Sequence, residues 1–458
     1  MRHIAVIISF LIVCLTIPYL EDGIFSTFVF WIIYLIIGNT FIVFNIKGGN
    51  QRKALDLYNV TFCVYLIQMV IINIVYVNNP LTDFFVYSDQ ITFYTISEKL
   101  SKSDSIKSIF INANKFYVGI LESNKSVGAY SLFGLTGYFS ELFDGNNIIL
   151  QKMNVVFFSS MIPLILYKIL IKFFNSSKAF SLSLIYAFLS FNFFYSCLLL
   201  RDIHIAFFYI IGIDILLSKY SNKNLIKLII LLFLSYTFRS LSGIFFLSFI
   251  VIYIIQNNSI TTKHLFSYIF LITLIVSIIL YMNIGKIISI SMSSIINLME
   301  YSSNRLDNDA LRRTLDKLPV GVREISKAAL SQLQPFPFWG FLVKNGYPSN
   351  ERNIFRLSEA TAGIFWFYIW IFNLYGIFKQ KIRKNIPRII WYIFILGSVM
   401  ILSNTVEMNI RRTMSMYAGI YLLSIFVITQ ISYKTRKQLF ILGTIFYAFL
   451  TFTYLIIK

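Results

Sequence analysis

The residues of this chain best suited to chemistry are arginines and aspartates that interrupt long apolar runs. The stretch SCLLLRDIHIAFFYI carries Arg201 and Asp202, FLSYTFRSLSGIFF carries Arg239, and NTVEMNIRRTMSMYAG carries Arg411 and Arg412. A guanidinium offers a planar fork of donors that matches phosphate oxygens, and it stays protonated at any relevant pH. The pattern therefore indicates a binding site for phosphate or diphosphate.

Carboxylates in the same pattern add acid–base chemistry. Asp89 lies in VYSDQITFYTISEKL, with Asp83 and Glu98 as the nearest alternatives. A carboxylate near anion-binding arginines can deprotonate a hydroxyl while the arginines stabilise a phosphate leaving group. We take Asp89 as the preferred base. Asp202 either neutralises Arg201 or orients it or an acceptor hydroxyl.

The composition defines the scaffold that must position these groups. The 458 residues are 57% hydrophobic and only 13% charged, with 18% aromatic residues, which is far from the composition of soluble domains. Apolar runs recur with short polar breaks, and each is close to the roughly 20 residues that cross a bilayer as a helix. We predict an all-α, polytopic integral membrane protein with about 12 to 13 transmembrane helices.

The net charge of +20 is explained by membrane topology rather than by nucleic-acid binding, because cytoplasmic loops accumulate Lys and Arg. The basic clusters assigned to the cytoplasmic side are Lys47/Arg52/Lys53, Lys178, Lys219/Lys223, Lys263, Lys379/Lys381/Arg383/Lys384/Arg388 and Lys434/Arg436/Lys437. This partition places the N-terminus in the cytoplasm and the arginine-bearing breaks on the outer face. An arginine at a helix end often snorkels or pairs with a neighbour, but several on the outer face run against the insertion bias and favour an anionic ligand.

Two of the predicted outward segments are long. The first ends in VGAYSLFGLTGYFSELFDG, which is typical of an interfacial helix, and the second contains Arg312, Arg313 and Arg323 in short amphipathic helices. The second segment is either a solvated cap or a substrate-contacting loop. The predicted organisation is N-terminal transmembrane helices, a first outward loop, central transmembrane helices, a large outward loop and C-terminal transmembrane helices, at 1–77, 78–146, 147–283, 284–360 and 361–458.

The sequence predicts no cofactor. The three histidines are scattered, the three cysteines form no CxxC pair, and neither HExxH nor GxxxxGK[ST] occurs. We therefore predict no metal site built on histidine or cysteine. Carboxylates alone could hold a divalent cation, and the residues leave that alternative open.

The region from SDQITFYTISEKL to LLLRDIHIAFFYI resembles membrane glycosyltransferases of the GT-C superfamily, in the acidic residue Asp89 near Tyr94 of the first outward loop and in Asp202 at a later outer turn. The resemblance covers about a third of the chain. It implies a GT-C-like architecture and sugar transfer from polyprenyl-phosphate or polyprenyl-diphosphate donors at the outer leaflet. Many members carry an Asp/Glu pair in this loop, whereas Gln90 follows Asp89 here.

The long central outward loop and the outward arginines are similar to those of bacterial O-antigen (Wzy-type) repeat-unit polymerases. That likeness implies a polymerase that joins polyprenyl-diphosphate-linked repeat units into O-antigen or capsule at the outer face of the bacterial inner membrane. It also implies a flippase and a chain-length regulator as partners, in addition to the lipid-linked donor and acceptor and the membrane lipids. The residues it assigns to substrate or phosphate binding are Arg201, Arg239, Arg411, Arg412, Arg312, Arg313 and Arg323.

Two other functions compete with polymerisation. A GT-C enzyme could add a single sugar from a polyprenyl-phosphate donor. A lipid-linked oligosaccharide flippase or other transporter would carry charges at mid-span, where Asp214 and Lys168 are the candidates. Both lie toward the predicted cytoplasmic ends of their helices, so we interpret them as snorkelling groups.

Overall fold

A computed structural model of the chain describes residues 1–20, 22–77, 88–116, 126–256, 319, 322–333, 352–403, 411 and 414–457. Every regular element within these residues is helical, which confirms the all-α prediction. The α-helices are α1 (Arg2–Cys14), α2 (Ile24–Asn45), α3 (Asn50–Val77), α4 (Ser88–Ser101), α5 (Ile106–Ala113), α6 (Val127–Glu141), α7 (Ile148–Leu170), α8 (Ser176–Leu189), α9 (Phe191–Tyr195), α10 (Asp202–Leu216), α11 (Asn222–Phe238), α12 (Ser240–Ile255), α13 (Val322–Ser331), α14 (Arg352–Phe378), α15 (Gln380–Asn385), α16 (Arg388–Ser403), α17 (Tyr417–Gln430) and α18 (Tyr433–Ile457).

The described helices make the chain an all-α membrane protein. Four have the length and apolar composition to cross a bilayer, and they span Ile24–Asn45, Asn50–Asn73, Ile148–Leu170 and Leu357–Phe378. Four shorter apolar helices cover Arg2–Cys14, Ser240–Ile255, Arg388–Leu402 and Met414–Gln430. The total of 12 to 13 spans stays a prediction, as does the five-part division, since most of the segment 284–360 lies outside the described residues.

Helix α7 is the centre of the bundle. Nearly all of its residues are buried, and it contacts α2, α3, α6, α8 and α10. A helix that is covered on every side is expected only in a protein or membrane interior. Its N-terminus begins at the cap residue Asn147, whose side-chain oxygen accepts a hydrogen bond from the backbone N–H of Leu150 at 2.8 Å. Helix α10, which carries Asp202, is one of the helices that pack against α7.

The loop before α7 also holds the start of α2. The carboxylate of Asp144 accepts hydrogen bonds from the backbone N–H groups of Phe25 and Ser26, so it caps α2 from a distant part of the chain. Partial burial opposes ionisation of Asp144, but these hydrogen bonds outweigh it and lower the pKa of its carboxyl below the usual value. The contribution of this cap to stability is therefore present at neutral pH and is lost only as the pH falls through that lowered pKa.

The apolar run before Arg201 does not continue as one helix up to that residue. Helix α8 ends at Leu189, the short α9 follows, and residues 196–201 have no helical conformation before α10 begins. Side chains from neighbouring helices satisfy the freed backbone groups: the Tyr65 hydroxyl donates to the carbonyl of Ala187 at 2.8 Å. Irregular backbone within an apolar bundle is stable only with such partners, and in membrane proteins it commonly lines a site.

The predicted break at Arg239 is confirmed. Helix α11 ends at Phe238 and α12 begins at Ser240, with Arg239 between them in an extended conformation. The two helices pack against each other, and Gly243 permits this because a β-carbon at its position would lie 2.5 Å from the β-carbon of Tyr236. The guanidinium of Arg239 is thereby held at the end of a helical hairpin.

Candidate functional site

Five of the predicted site residues meet at one end of the bundle, and we call them the arginine–aspartate cluster: Asp89, Arg201, Asp202, Arg239 and Arg411. The Asp202 carboxylate lies 2.5 Å from Nη2 of Arg239 and 3.4 Å from Nε of Arg411. Nη2 of Arg411 also lies 2.7 Å from the carboxylate of Asp89. Arg411 therefore joins the two aspartates.

Four separate parts of the chain supply the cluster. Asp89 and Asp202 stand in the first turns of α4 and α10, where the helix dipole favours a negative charge. Arg239 separates α11 from α12, and Arg411 precedes α17. The contact between Asp89 and Arg411 spans 322 positions of sequence. The cluster is thus a product of the tertiary fold, and helix ends that are distant in sequence share one face.

Asp202 is the most deeply buried carboxylate of the cluster. Its side chain is 3% exposed and is bound by Arg239 and Arg411, which come from other parts of the chain. The predicted roles of Asp202 toward Arg201, neutralising or orienting it, or toward an acceptor hydroxyl stay predictions. Because an acidic side chain in the first turn of a helix projects toward the preceding loop and the neighbouring helix ends, Asp202 reaches these two guanidiniums. Its position suits it to orient Arg239 and Arg411.

The guanidinium of Arg201 takes a different partner. It donates a hydrogen bond to the backbone carbonyl of Phe238 at 3.2 Å, at the C-terminus of α11. It also interacts electrostatically with Asp202, Arg239 and Arg411. The residue is 8% exposed, so the surrounding helices shield its charge from solvent.

Asp89 is the accessible carboxylate of the pair. Its side chain is 32% exposed and is bound at one oxygen by Arg411. The contact with Arg411 fixes the orientation of the whole carboxylate and therefore of its other oxygen. A carboxylate with a fixed orientation is suited to exchange a proton with a substrate. Asp89 thus fits the predicted role of base better than Asp202 does, and that role stays a prediction.

The charge of the cluster is unbalanced. Within the part of the chain that the structure describes, it contains three guanidinium groups and two carboxylates, which leaves one net positive charge. Charges interact more strongly in a partly buried site than in water, so such an excess attracts an anion. Arg411 already lies between the two carboxylates, in the position that a bridging cation would take.

Of the other four predicted arginines, the structure describes only Arg323. Arg323 lies in α13, a helix that contacts α16, and its side chain is half-buried. Arg312, Arg313 and Arg412 lie outside the described residues. The roles predicted for these four arginines stay predictions.

Several buried polar residues close to the cluster were not predicted from the sequence. Gln90 is fully buried and follows Asp89, and His204 is buried two positions after Asp202, with its Nε2 at 2.9 Å from Oδ1 of the buried Asn154. The sequence feature that could have identified them is a polar side chain within an apolar helix, since such a side chain needs a hydrogen-bond partner to be stable there. No spacing rule distinguishes such residues from ordinary helix-packing contacts.

Charges at the other end of α10 form a separate group. Asp214 lies 12 positions after Asp202, which is about 18 Å along a helix. Lys168 and Lys172 of the α7 end lie 2.9 Å and 2.7 Å from its two carboxylate oxygens. Lys168 and Asp214 are therefore ion-paired with each other, and their interpretation as snorkelling groups at the cytoplasmic helix ends stays a prediction. The pairing occurs because α7 and α10 pack side by side.

No protein-family model matches the chain, and neither a curated protein nor a solved structure matches it. The likeness to GT-C glycosyltransferases and to repeat-unit polymerases thus rests on the sequence patterns alone.

Proposed function

We propose that the chain is a membrane glycosyltransferase that joins polyprenyl-diphosphate-linked oligosaccharide repeat units into a surface polysaccharide. The observation that carries this proposal is the convergence of three arginines and two aspartates, from four parts of the chain, at one end of an apolar helical bundle. The site is where a lipid-linked anion would present its headgroup while the lipid remains in the bilayer.

The charge and geometry of the cluster favour a phosphate or diphosphate ligand. Arg201, Arg239 and Arg411 present planar donor groups, and these match phosphate oxygens better than lysine would. Burial of the guanidiniums strengthens their attraction for an anion. The N-terminus of α10 adds a favourable dipole at the same place.

The proposed reaction assigns each residue a role. A sugar hydroxyl of one lipid-linked unit attacks the anomeric carbon of another, and Asp89 accepts the hydroxyl proton. The new bond joins the hydroxyl oxygen to the anomeric carbon, while the bond between that carbon and the diphosphate oxygen breaks. The electron pair of the broken bond leaves with the diphosphate, and Arg201, Arg239 and Arg411 stabilise the added charge.

Asp202 contributes indirectly. Its carboxylate fixes the positions of Arg239 and Arg411, so the two guanidiniums are ordered before substrate arrives. Donors that need no reorganisation during the reaction stabilise a developing charge most effectively. We therefore treat Asp202 as a positioning residue.

The proposal includes the location of the protein. The chain would lie in the bacterial inner membrane with its N-terminus in the cytoplasm and the cluster at the outer face. A flippase would deliver the lipid-linked units to that face, and a chain-length regulator would act on the product. Both partners are those that the resemblance to repeat-unit polymerases implies.

A reconstitution experiment tests the proposal. Purified protein in lipid vesicles is supplied with a polyprenyl-diphosphate oligosaccharide, and the products are separated by length. We expect a ladder of multiples of the repeat unit, with release of polyprenyl diphosphate. Addition of one sugar from a polyprenyl-phosphate donor, or translocation without bond formation, would contradict polymerisation and select one of the two competing functions.

A further inference from the structure

Gln90 follows the proposed base and contacts the irregular stretch before Arg201. Its side chain is fully buried, and its Oε1 accepts a hydrogen bond from the backbone N–H of Leu199 at 3.0 Å. Its Nε2 makes no hydrogen bond. Gln90 thus links α4 to the segment that leads into α10, and it keeps two donor hydrogens beside the arginine–aspartate cluster.

Tyr130 of α6 packs against α4 and lies close to the same charged groups. Its ring packs on Phe93, with 5.6 Å between the ring centroids, and the residue is fully buried. The hydroxyl lies beside the side chain of Ser126, but not in the geometry of a well-formed hydrogen bond. It interacts electrostatically with both Arg201 and Asp89, so it lies near the groups proposed to act on the substrate.

A buried polar group without a partner loses its hydration and gains nothing in return. Two such groups next to a charged site are explained if a ligand provides their partners. Both groups are uncharged, and together they offer amide donors and a hydroxyl that can donate or accept. These are the groups that recognise a sugar hydroxyl, whereas the arginines suit phosphate.

We propose that Gln90 and Tyr130 form a neutral subsite adjoining the arginine–aspartate cluster, which hydrogen-bonds a hydroxyl of the sugar ring nearest the diphosphate. The proposal rests on the proposed function and adds a source of specificity to it. A site built to pair a hydroxyl strongly disfavours a ligand that lacks it. The Gln90 amide and the Tyr130 hydroxyl are buried where α4 packs against α6. We therefore expect sugar binding to move α4 and α6 apart at the end nearer the arginine–aspartate cluster.

The test uses full-length protein in nanodiscs and two probes. One is undecaprenyl diphosphate, and the other is undecaprenyl diphosphate carrying the oligosaccharide that is polymerised in the reconstitution. Tyr130→Phe removes only the hydroxyl oxygen. We expect it to weaken binding of the oligosaccharide-bearing lipid about tenfold, as for the loss of one hydrogen bond, and to change binding of the bare diphosphate less than twofold.

Thermal stability separates this result from a folding defect. Because the Tyr130 hydroxyl makes no well-formed hydrogen bond, its removal should leave the melting temperature of the ligand-free protein unchanged or slightly higher. Tyr65→Phe is the matched control, since its hydroxyl bonds to the carbonyl of Ala187 and to the Asn192 amide. We expect Tyr65→Phe to lower the melting temperature. Any change in its affinity should be the same for both lipid probes.

Gln90→Met is the second variant. It also removes the acceptor for Leu199, so it should lower the melting temperature as well as the affinity for the oligosaccharide-bearing lipid. Equal binding of that lipid by wild type, Tyr130→Phe and Gln90→Met would overturn the subsite. An ordered water bonded to both groups in the ligand-bound state would also overturn it. Failure of the wild type to bind either probe would instead overturn the proposed function.

Discussion

Cells in which Arg239→Ala replaces the wild-type protein are expected to lose long-chain glycan, while single repeat units still reach their acceptor. Arg239 contacts Asp202 at 2.5 Å, and its side chain is 12% exposed. Removal of one preorganised donor that stabilises a developing negative charge typically lowers a reaction rate by about 10²–10³-fold. The defect should therefore appear in chain length rather than in the supply of units, and gel separation of surface glycan measures it.

Arg383→Ala provides the control for Arg239→Ala. Arg383 is exposed in the basic α15, away from the cluster, so its loss removes the same charge without touching the site. We expect normal chain length with Arg383→Ala. Arg239→Lys should retain a small part of the activity, because an ammonium keeps the charge but lacks the planar fork. Normal chain length in Arg239→Ala, at a normal amount of protein in the membrane, would contradict the proposed role.

Asp202→Asn is expected to give the largest loss of stability. The carboxylate is 3% exposed and compensates two guanidiniums that are themselves only 12% and 14% exposed. Breaking a buried ion pair by removing one partner costs about 3–5 kcal/mol, because the remaining charge stays buried without compensation. Thermal unfolding of the purified variant in detergent measures this loss.

Asp89→Asn is the matched comparison for Asp202→Asn. Its carboxylate is 32% exposed and has a single ion-pair partner, and exposed pairs contribute about 0–1 kcal/mol. We therefore expect Asp89→Asn to remain nearly as stable as the wild type but to lose polymerisation, because an amide cannot accept the proton. Equal losses of stability in the two variants, or full activity in Asp89→Asn, would contradict the division of roles between base and positioning residue.

Much of the site could be predicted because charges in apolar sequence are costly. Arg201, Arg239 and Arg411 stood out at breaks between apolar runs, and alternation of the runs placed these breaks on one face. Asp89 was predicted as a base because it lies in the first outward loop, on the same face as the arginines. Topology restricts helix ends to two surfaces, so residues far apart in the chain could be assigned to one surface without a structure.

The contacts within the site could not be predicted. The sequence made Arg201 the natural partner of Asp202, yet Asp202 binds Arg239 and Arg411, since its direction depends on how α10 packs against its neighbours. The non-helical stretch at 196–201 could not be recognised in the sequence, because its residues are as apolar as those of the neighbouring helices. Its stability depends on hydrogen bonds from other helices, such as that from Leu199 to Gln90.

The proposed function requires the arginine–aspartate cluster to bind the anionic headgroup of a polyprenyl lipid. The direct measurement compares the affinities of undecaprenyl diphosphate and undecaprenol for the protein in nanodiscs, because these lipids differ only in the charged group. We predict that the diphosphate binds at least about tenfold more tightly, and that Arg201→Gln and Arg239→Gln each remove most of this difference. Equal affinities of the wild type for the two lipids, or a preference for the diphosphate that persists in both variants, would contradict the claim.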